Sequence, residues 1–175
     1  GPPRLVATQA ILSQLPAFNL KLLERIFGEV NFEEGIQTEA ASVELFEDSL
    51  EALTRLKKYG LQLALVSNLA TPYADALELC GIGDLFDVVV LSFAEGAMKG
   101  KANDLRIYDA AAARLNASKA ECLFVGDTVA ADYDGPISAG MQAVHLHRTS
   151  RKQRLKSDTN LRPTITTLAQ LLIAE

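Results

Sequence analysis

The chain of 175 residues carries 17 Lys and Arg against 22 Asp and Glu, a net charge of −5, and is 49% apolar. That composition suits one compact domain with at most a small appendage and excludes a disordered chain. No apolar run approaches the roughly 18 residues of a membrane-spanning helix, and the mild acidity argues against a protein built around a nucleic-acid backbone.

Residues 1–45 read as helical. Leu5 to Leu15 and Leu20 to Val30 have helical periodicity, separated by Pro16, and no convincing strand precedes them. The stripe Leu20, Leu22, Leu23, Ile26 and Phe27 is the kind that packs onto a core. Residues 46–175 alternate. Ser49 to Tyr59 spaces Leu50, Leu53 and Leu56 as a helix, and Gly60 supplies its stop. Leu61 to Val66 is a buried strand, and Tyr73 to Leu79 a helix ending at Gly81. Asp87 to Leu91, with three consecutive valines, reads as a strand. The alanine-rich Leu105 to Leu115 is a helix, Cys122 to Val125 a strand, Gln142 to Leu146 a weaker strand, and Thr164 to Ile173 a closing helix. This alternation predicts an α/β domain whose parallel sheet is covered on both faces. Cys80 and Cys122 form neither a metal pair nor a disulfide framework, and read as small core residues of a cytoplasmic, reducing compartment. Arg148, Arg151, Lys152, Arg154 and Lys156 form a basic stretch, either a solvated loop or a patch for an anion.

Three strand ends carry groups suited to chemistry. Phe124-Val125-Gly126-Asp127-Thr128 brings Asp127 to the carboxyl edge of a sheet, where open α/β sheets place their ligands. Asp132, five residues on, can fold back to the same mouth. Two carboxylates there suit Mg²⁺, a hard cation that neutralises charges otherwise costly to hold together. The plainer alternative is that Asp127 caps the next helix and Asp132 is solvated. At the second strand end, Ser67 and Asn68 can grip a phosphate oxygen or merely cap a helix. At the third, Lys99 or Lys101 can reach the crevice and neutralise a phosphoryl group and a carboxylate.

The order Val66-Ser67-Asn68, Gly96-x-x-Lys99, Val125-Gly126-Asp127-Thr128-x-x-x-Asp132-x-x-Gly135 and Ala139-Gly140-Met141 resembles the haloacid dehalogenase (HAD) superfamily. Within it, the chain is similar to the helical-capped branch of phosphoglycolate phosphatases and β-phosphoglucomutases. The resemblance runs from about Phe46 to the C-terminus. It implies a three-layer, Rossmann-like core with a small N-terminal helical cap at residues 1–45. It also implies a Mg²⁺-dependent phosphomonoester hydrolase that acts on a small phosphorylated metabolite through an aspartyl-phosphate. Ser67 and Asn68 would bind the phosphoryl group, Asp127 and Asp132 the Mg²⁺, and Lys99 would hold the charge. Lys101 is the alternative lysine, because the usual Lys-Pro-Asp-Pro is replaced by Lys99-Gly100-Lys101-Ala102-Asn103-Asp104. The cap would shield the site, with Phe18, Phe32 and Glu33 as candidates to face substrate.

The family's nucleophile stands in Asp-x-Asp-Gly-Thr/Val at the end of the first strand, and that motif occurs nowhere in this chain. Asp48-Ser49 and Asp158-Thr159 follow no buried apolar run and do not replace it. In the family that strand lies between the strands ending at Ser67 and Asp127, so its absence leaves two facing edges. Two explanations remain open. The opening Gly1-Pro2 has the form of a cleaved-tag remnant, which places the motif upstream of Arg4; otherwise the protein is a degenerate relative in which another segment fills the gap. Alternative functions are a sugar-phosphate mutase, a catalytically silent binding protein and, more weakly, a dehalogenase. Dehalogenases of the family need no metal and lack the carboxylate pair.

Overall fold

The computed structural model describes residues 37–38, 42–69, 73, 76–101, 103–148 and 162–172. The predicted cap helices, with Phe18, Phe32 and Glu33, lie outside the described residues, as do Arg151, Lys152, Arg154 and Lys156 of the basic stretch.

Among the described residues, five strands and five α-helices follow in chain order: α1 (Ser49–Lys58), β1 (Ala64–Ser67), α2 (Ala76–Leu79), β2 (Val88–Leu91), α3 (Ser92–Glu95), α4 (Arg106–Leu115), β3 (Leu123–Gly126), α5 (Gly135–Ala139), β4 (Gln142–Leu146) and β5 (Thr164–Ile165). A π turn (Val129–Asp134) joins β3 to α5. The predicted boundaries of α1, α4 and β1 to β4 agree to within a few residues. Gly60 and Gly81 stand where left-handed backbone ends a helix, at φ +80° and +68°.

All pairings are parallel, as the alternation requires, but the described strands form two sheets rather than one. β1 pairs with β2, and β4 lies between β3 and β5. Among the described residues no strand bridges β1 and β3, so each keeps one edge without a ladder partner. Their aliphatic residues are correspondingly half-exposed, and Leu123 is open to solvent.

The core is built on α4. Its Ile107, Tyr108, Ala111 and Ala112 repeat at the spacing of one helical face, and all are buried. They join Val90, Ala97, Ala139 and Met141, against which Val66 and Val88 pack from one sheet and Phe124 from the other. The alanines let the helix approach closely, while Ile107 and Tyr108 fill volume; burying side chains of this size contributes roughly 1.5–3 kcal/mol each.

Two expectations are corrected. Thr164 to Ile173 is not a helix: Thr164 and Ile165 add a strand beside His145 and Leu146, and only Leu168–Leu172 coils, as a 3-10 turn. Pro163 sets the preceding residue extended, and the β-branched pair suits an edge strand. Cys80 and Cys122 are free but only half-buried, with thiols turned to the carbonyls of Val43 and Ser118.

Candidate active site

The site lies where β1, β2 and β3 end. Ser67 closes β1, and the next side chain, Asn68, is bound on both sides to the backbone of Lys99. Its Nδ2 donates to the Lys99 carbonyl at 3.1 Å, and its Oδ1 accepts the Lys99 N–H at 2.8 Å. The side-chain amide thus copies a strand's hydrogen bonding and moors the Lys99 loop, 31 residues away in sequence, to the end of β1. Buried Ser92, just after β2, fastens the same corner: its Oγ accepts the Leu69 N–H at 3.0 Å and donates to the Leu69 carbonyl at 3.2 Å.

Held in this way, Lys99 extends to Asp132. Nζ lies 2.7 Å from Oδ1, with the lysine side chain 13% exposed and the aspartate 5%. The ammonium also lies 5.5 Å from the centroid of the Phe124 ring, within cation–π range. The other carboxylate oxygen of Asp132 accepts the Thr128 N–H at 2.9 Å. Both oxygens are therefore satisfied, as a buried charge requires.

The π turn makes this possible. Both Ala131 and Asp132 donate their N–H groups to the Thr128 carbonyl, which folds the chain tightly enough to bring Asp132 back over the end of β3. Gly126 leaves the space: a Cβ there would fall 2.5 Å from the Asp132 Cγ. The reading of Asp132 as merely solvated is thereby overturned. Asp127 does not cap the turn either. It is exposed, its carboxylate accepts only a long 3.4 Å contact from the Thr128 hydroxyl, and its backbone carbonyl accepts the His145 Nε2–H at 3.1 Å.

Of the residues singled out from sequence, Asn68, Lys99 and Asp132 form one connected set. Ser67 and Asp127 flank it at the strand ends. Lys101 is exposed and makes no described contact with the pair; after the bonds from Arg106, its charge adds to the lowering of the Asp104 carboxyl. The letters Asp-x-Asp-Gly do occur, at Asp132-Tyr133-Asp134-Gly135, but inside the π turn and with Asp132 already engaged by Lys99.

Residues that sequence reasoning named without a role, or missed, complete the frame. Tyr108 and Ser92 tie loops together, and His145 reaches Asp127 because the parallel register sets it opposite Gly126. Asp48 resembles an N-cap of α1 but makes no capping bond. It accepts the Leu168 N–H at 2.6 Å and pairs with Arg148 at 2.8 Å. Burial raises its pKa, but the bonds from Arg148 and Leu168 outweigh that and hold the carboxyl below the usual range. Arg148 also stacks on Phe46, 4.1 Å from its centroid, so this member of the basic stretch is a structural tie rather than a solvated charge. A cavity of about 480 Å³ opens beside Asp127, walled in part by Phe46, Gly126, His147, Arg148 and Leu168.

No group of three His, Cys, Asp or Glu side chains that could hold a metal occurs among the described residues. Asp127 and Asp132 are hard oxygen donors at one strand end, with Asp127 open to solvent. Such a set fits a cation that keeps several of its waters, as Mg²⁺ does.

Comparison with known proteins agrees with this geometry. The family profile "haloacid dehalogenase-like hydrolase" matches residues 4–140. Curated relatives include a mouse haloacid dehalogenase-like hydrolase domain-containing protein 3, 34% identical over 57% of this chain and 39% of its own length. The ribulose-1,5-bisphosphate 5-phosphatase of Halopiger xanaduensis is 32% identical over 57% of this chain and 41% of its own length. The glyceraldehyde 3-phosphate phosphatase of Methanopyrus kandleri is 32% identical over 63% and 47%. The chain thus spans less than half the length of each of these relatives. Among solved structures, a HAD phosphatase from Thermococcus onnurineus superposes with a TM-score of 0.70 at 25% identity, covering 87% of this chain and 68% of that one. A 2-haloacid dehalogenase from Pseudomonas syringae, at 23% identity and a TM-score of 0.63 over 75% and 53%, shares the fold. With the profile spanning most of its residues, and Ser67, Lys99, Asp127 and Asp132 at the strand ends, the chain belongs to the haloacid dehalogenase-like hydrolases.

Proposed function

We propose that this chain serves the Mg²⁺-dependent hydrolysis of a small phosphomonoester. The observation that carries the reading is the Asn68–Lys99–Asp132 linkage, which draws the ends of three strands into one crevice holding a buried cation and carboxylates. The phosphatase names of two curated relatives support a small phosphorylated metabolite as substrate. Two free thiols fit a reducing, cytoplasmic setting.

In this reading the Ser67 hydroxyl donates to a phosphoryl oxygen and the Lys99 ammonium offsets the charge that develops there. Asn68 has spent its amide on Lys99 and acts by holding that loop in place. Asp132 keeps Lys99 extended into the crevice, and Asp127 with Asp132 would hold Mg²⁺, which supplies charge neutralisation and orients the phosphate. Lys101 stays at the rim. The roles assigned to this chain's own residues are thus to hold the phosphate and the cation, and a silent phosphate-binding protein is the second reading.

The test is hydrolysis of para-nitrophenyl phosphate by the full-length protein, with Mg²⁺ and with EDTA. Turnover should require Mg²⁺, and Asp127→Asn should lower it by about 10²-fold or more while leaving the melting temperature nearly unchanged. Metal-independent turnover, or halide release from a haloacid without Mg²⁺, would refute the assignment. Phosphate binding without any turnover would favour the silent protein.

A further inference from the structure

Tyr108 is 1% exposed and stands on α4, outside the strand ends that carry the site. Its hydroxyl nevertheless joins the two loops that meet there. It accepts the N–H of Gly100, the residue after Lys99, at 3.2 Å, and donates to the carbonyl of Ala131, the residue before Asp132, at 2.7 Å. One oxygen thus spans the immediate backbone neighbours of both members of the ion pair. Its ring is held edge-on to Phe124, 5.7 Å between centroids, the same ring that faces the Lys99 ammonium.

The surroundings preserve this placement. A Cβ at Gly135 would strike the Tyr108 hydroxyl, so glycine at that position leaves room for it. A packing tyrosine needs only its ring, and a phenylalanine would fill the same space; the hydroxyl is explained by the two bonds it makes. Burial first of all, reinforced by the charge of Asp132 and only partly offset by the Gly100 N–H, raises the phenol above its ordinary range. The hydroxyl's donor role rests on its 2.7 Å bond to the Ala131 carbonyl.

We propose that Tyr108 is a positioning residue of this site: its hydroxyl fixes the Lys99 loop against the Asp132 turn and so sets the Lys99–Asp132 pair from behind. The inference rests on the phosphatase reading for its consequence in turnover, and on the geometry alone for the pair itself.

The variant is Tyr108→Phe, which keeps the ring. In the full-length protein it should lower kcat for para-nitrophenyl phosphate about tenfold, as expected for the loss of about 1.4 kcal/mol of positioning, with KM changing less than twofold. In a Lys99→Ala background the same substitution should change kcat less than twofold, because the group it positions is gone. A readout independent of activity is the ¹⁵N Nζ resonance of Lys99 in lysine-labelled protein, which should shift or broaden in Tyr108→Phe. A lower melting temperature with kcat and the Lys99 resonance both unchanged would overturn the proposal, as would an undiminished tenfold loss in the Lys99→Ala background. If the unaltered protein hydrolyses nothing, the phosphatase reading fails separately, and the resonance still decides for or against Tyr108.

Discussion

The molecule uses the same device twice. At the strand ends, Asp132 pairs with Lys99 and accepts one backbone N–H. At the foot of α1, Asp48 pairs with Arg148 and likewise accepts one backbone N–H. Both carboxylates are largely buried, at 5% and 17% side-chain exposure. The difference lies in what surrounds them. Lys99 and Asp132 join the loops that follow β2 and β3, whereas Asp48 and Arg148 bind the start of one helix to the end of β4 and to a turn 120 residues away, with Arg148 on the wall of the cavity beside Asp127. A buried ion pair is thus not in itself a mark of chemistry: one of these two ties loops at the strand ends that carry the candidate residues, and the other fastens segments distant in sequence.

The sharpest way to break the comparison is Lys99→Ala. It strands the Asp132 charge in a buried position and should destabilise the protein by about 3–5 kcal/mol in urea unfolding, besides abolishing most turnover. Lys101→Ala, at an exposed position, should stay within about 0.5 kcal/mol. Equal losses would reassign the site lysine. Gly126→Ala comes next. Its added methyl displaces Asp132 and should cost about 1–3 kcal/mol, with the Lys99–Asp132 contact opened in a crystal structure of the variant. An undisturbed pair would mean that the turn relaxes more freely than its hydrogen bonds suggest.

The smallest effect sharpens the contrast through pH. Asp48→Asn should cost about 1–2 kcal/mol at neutral pH by weakening the hold on Arg148 and Leu168. The folded-state pKa of Asp48 is lowered, so its contribution is complete above the unfolded value near 3.9 and is lost as pH falls through the depressed folded value. The stability gap between the unaltered protein and Asp48→Asn should therefore be flat from about pH 7 to 5 and close below about pH 4. A gap that widens on acidification would contradict the assignment.

Local chemistry was legible in the chain, and distant pairing was not. Apolar runs and stop signals marked β1 to β4, α1 and α4, and the Asp127 and Asp132 spacing foretold a return to one mouth. The return itself required a π turn and the space at Gly126, neither of which periodicity encodes. Thr164 and Ile165 looked helical because Leu168, Leu171 and Leu172 follow at helical spacing; the partner that makes them a strand, β4, is far back in sequence. The Gly96-x-x-Lys99 spacing pointed to Lys99 with Lys101 as the alternative, but nothing in the sequence showed that the Asn68 amide moors Lys99 across 31 residues. Asp48 was set aside as a nucleophile and given no other role, because its partners, Arg148 and Leu168, lie at the other end of the chain.

Helix α4 has a further consequence. Among the described residues the two sheets share no ladder, yet Val66 and Phe124 rest on one cluster centred on that helix. Between the sheets whose rims carry Ser67 and Asp127, the described contact is therefore side-chain packing along α4, together with the Asn68–Lys99–Asp132 and Tyr108 links, rather than a strand ladder. In an interior packed as tightly as a crystal, one methyl group more at Ala111 or Ala112 would move the two rims relative to each other without touching a residue of either.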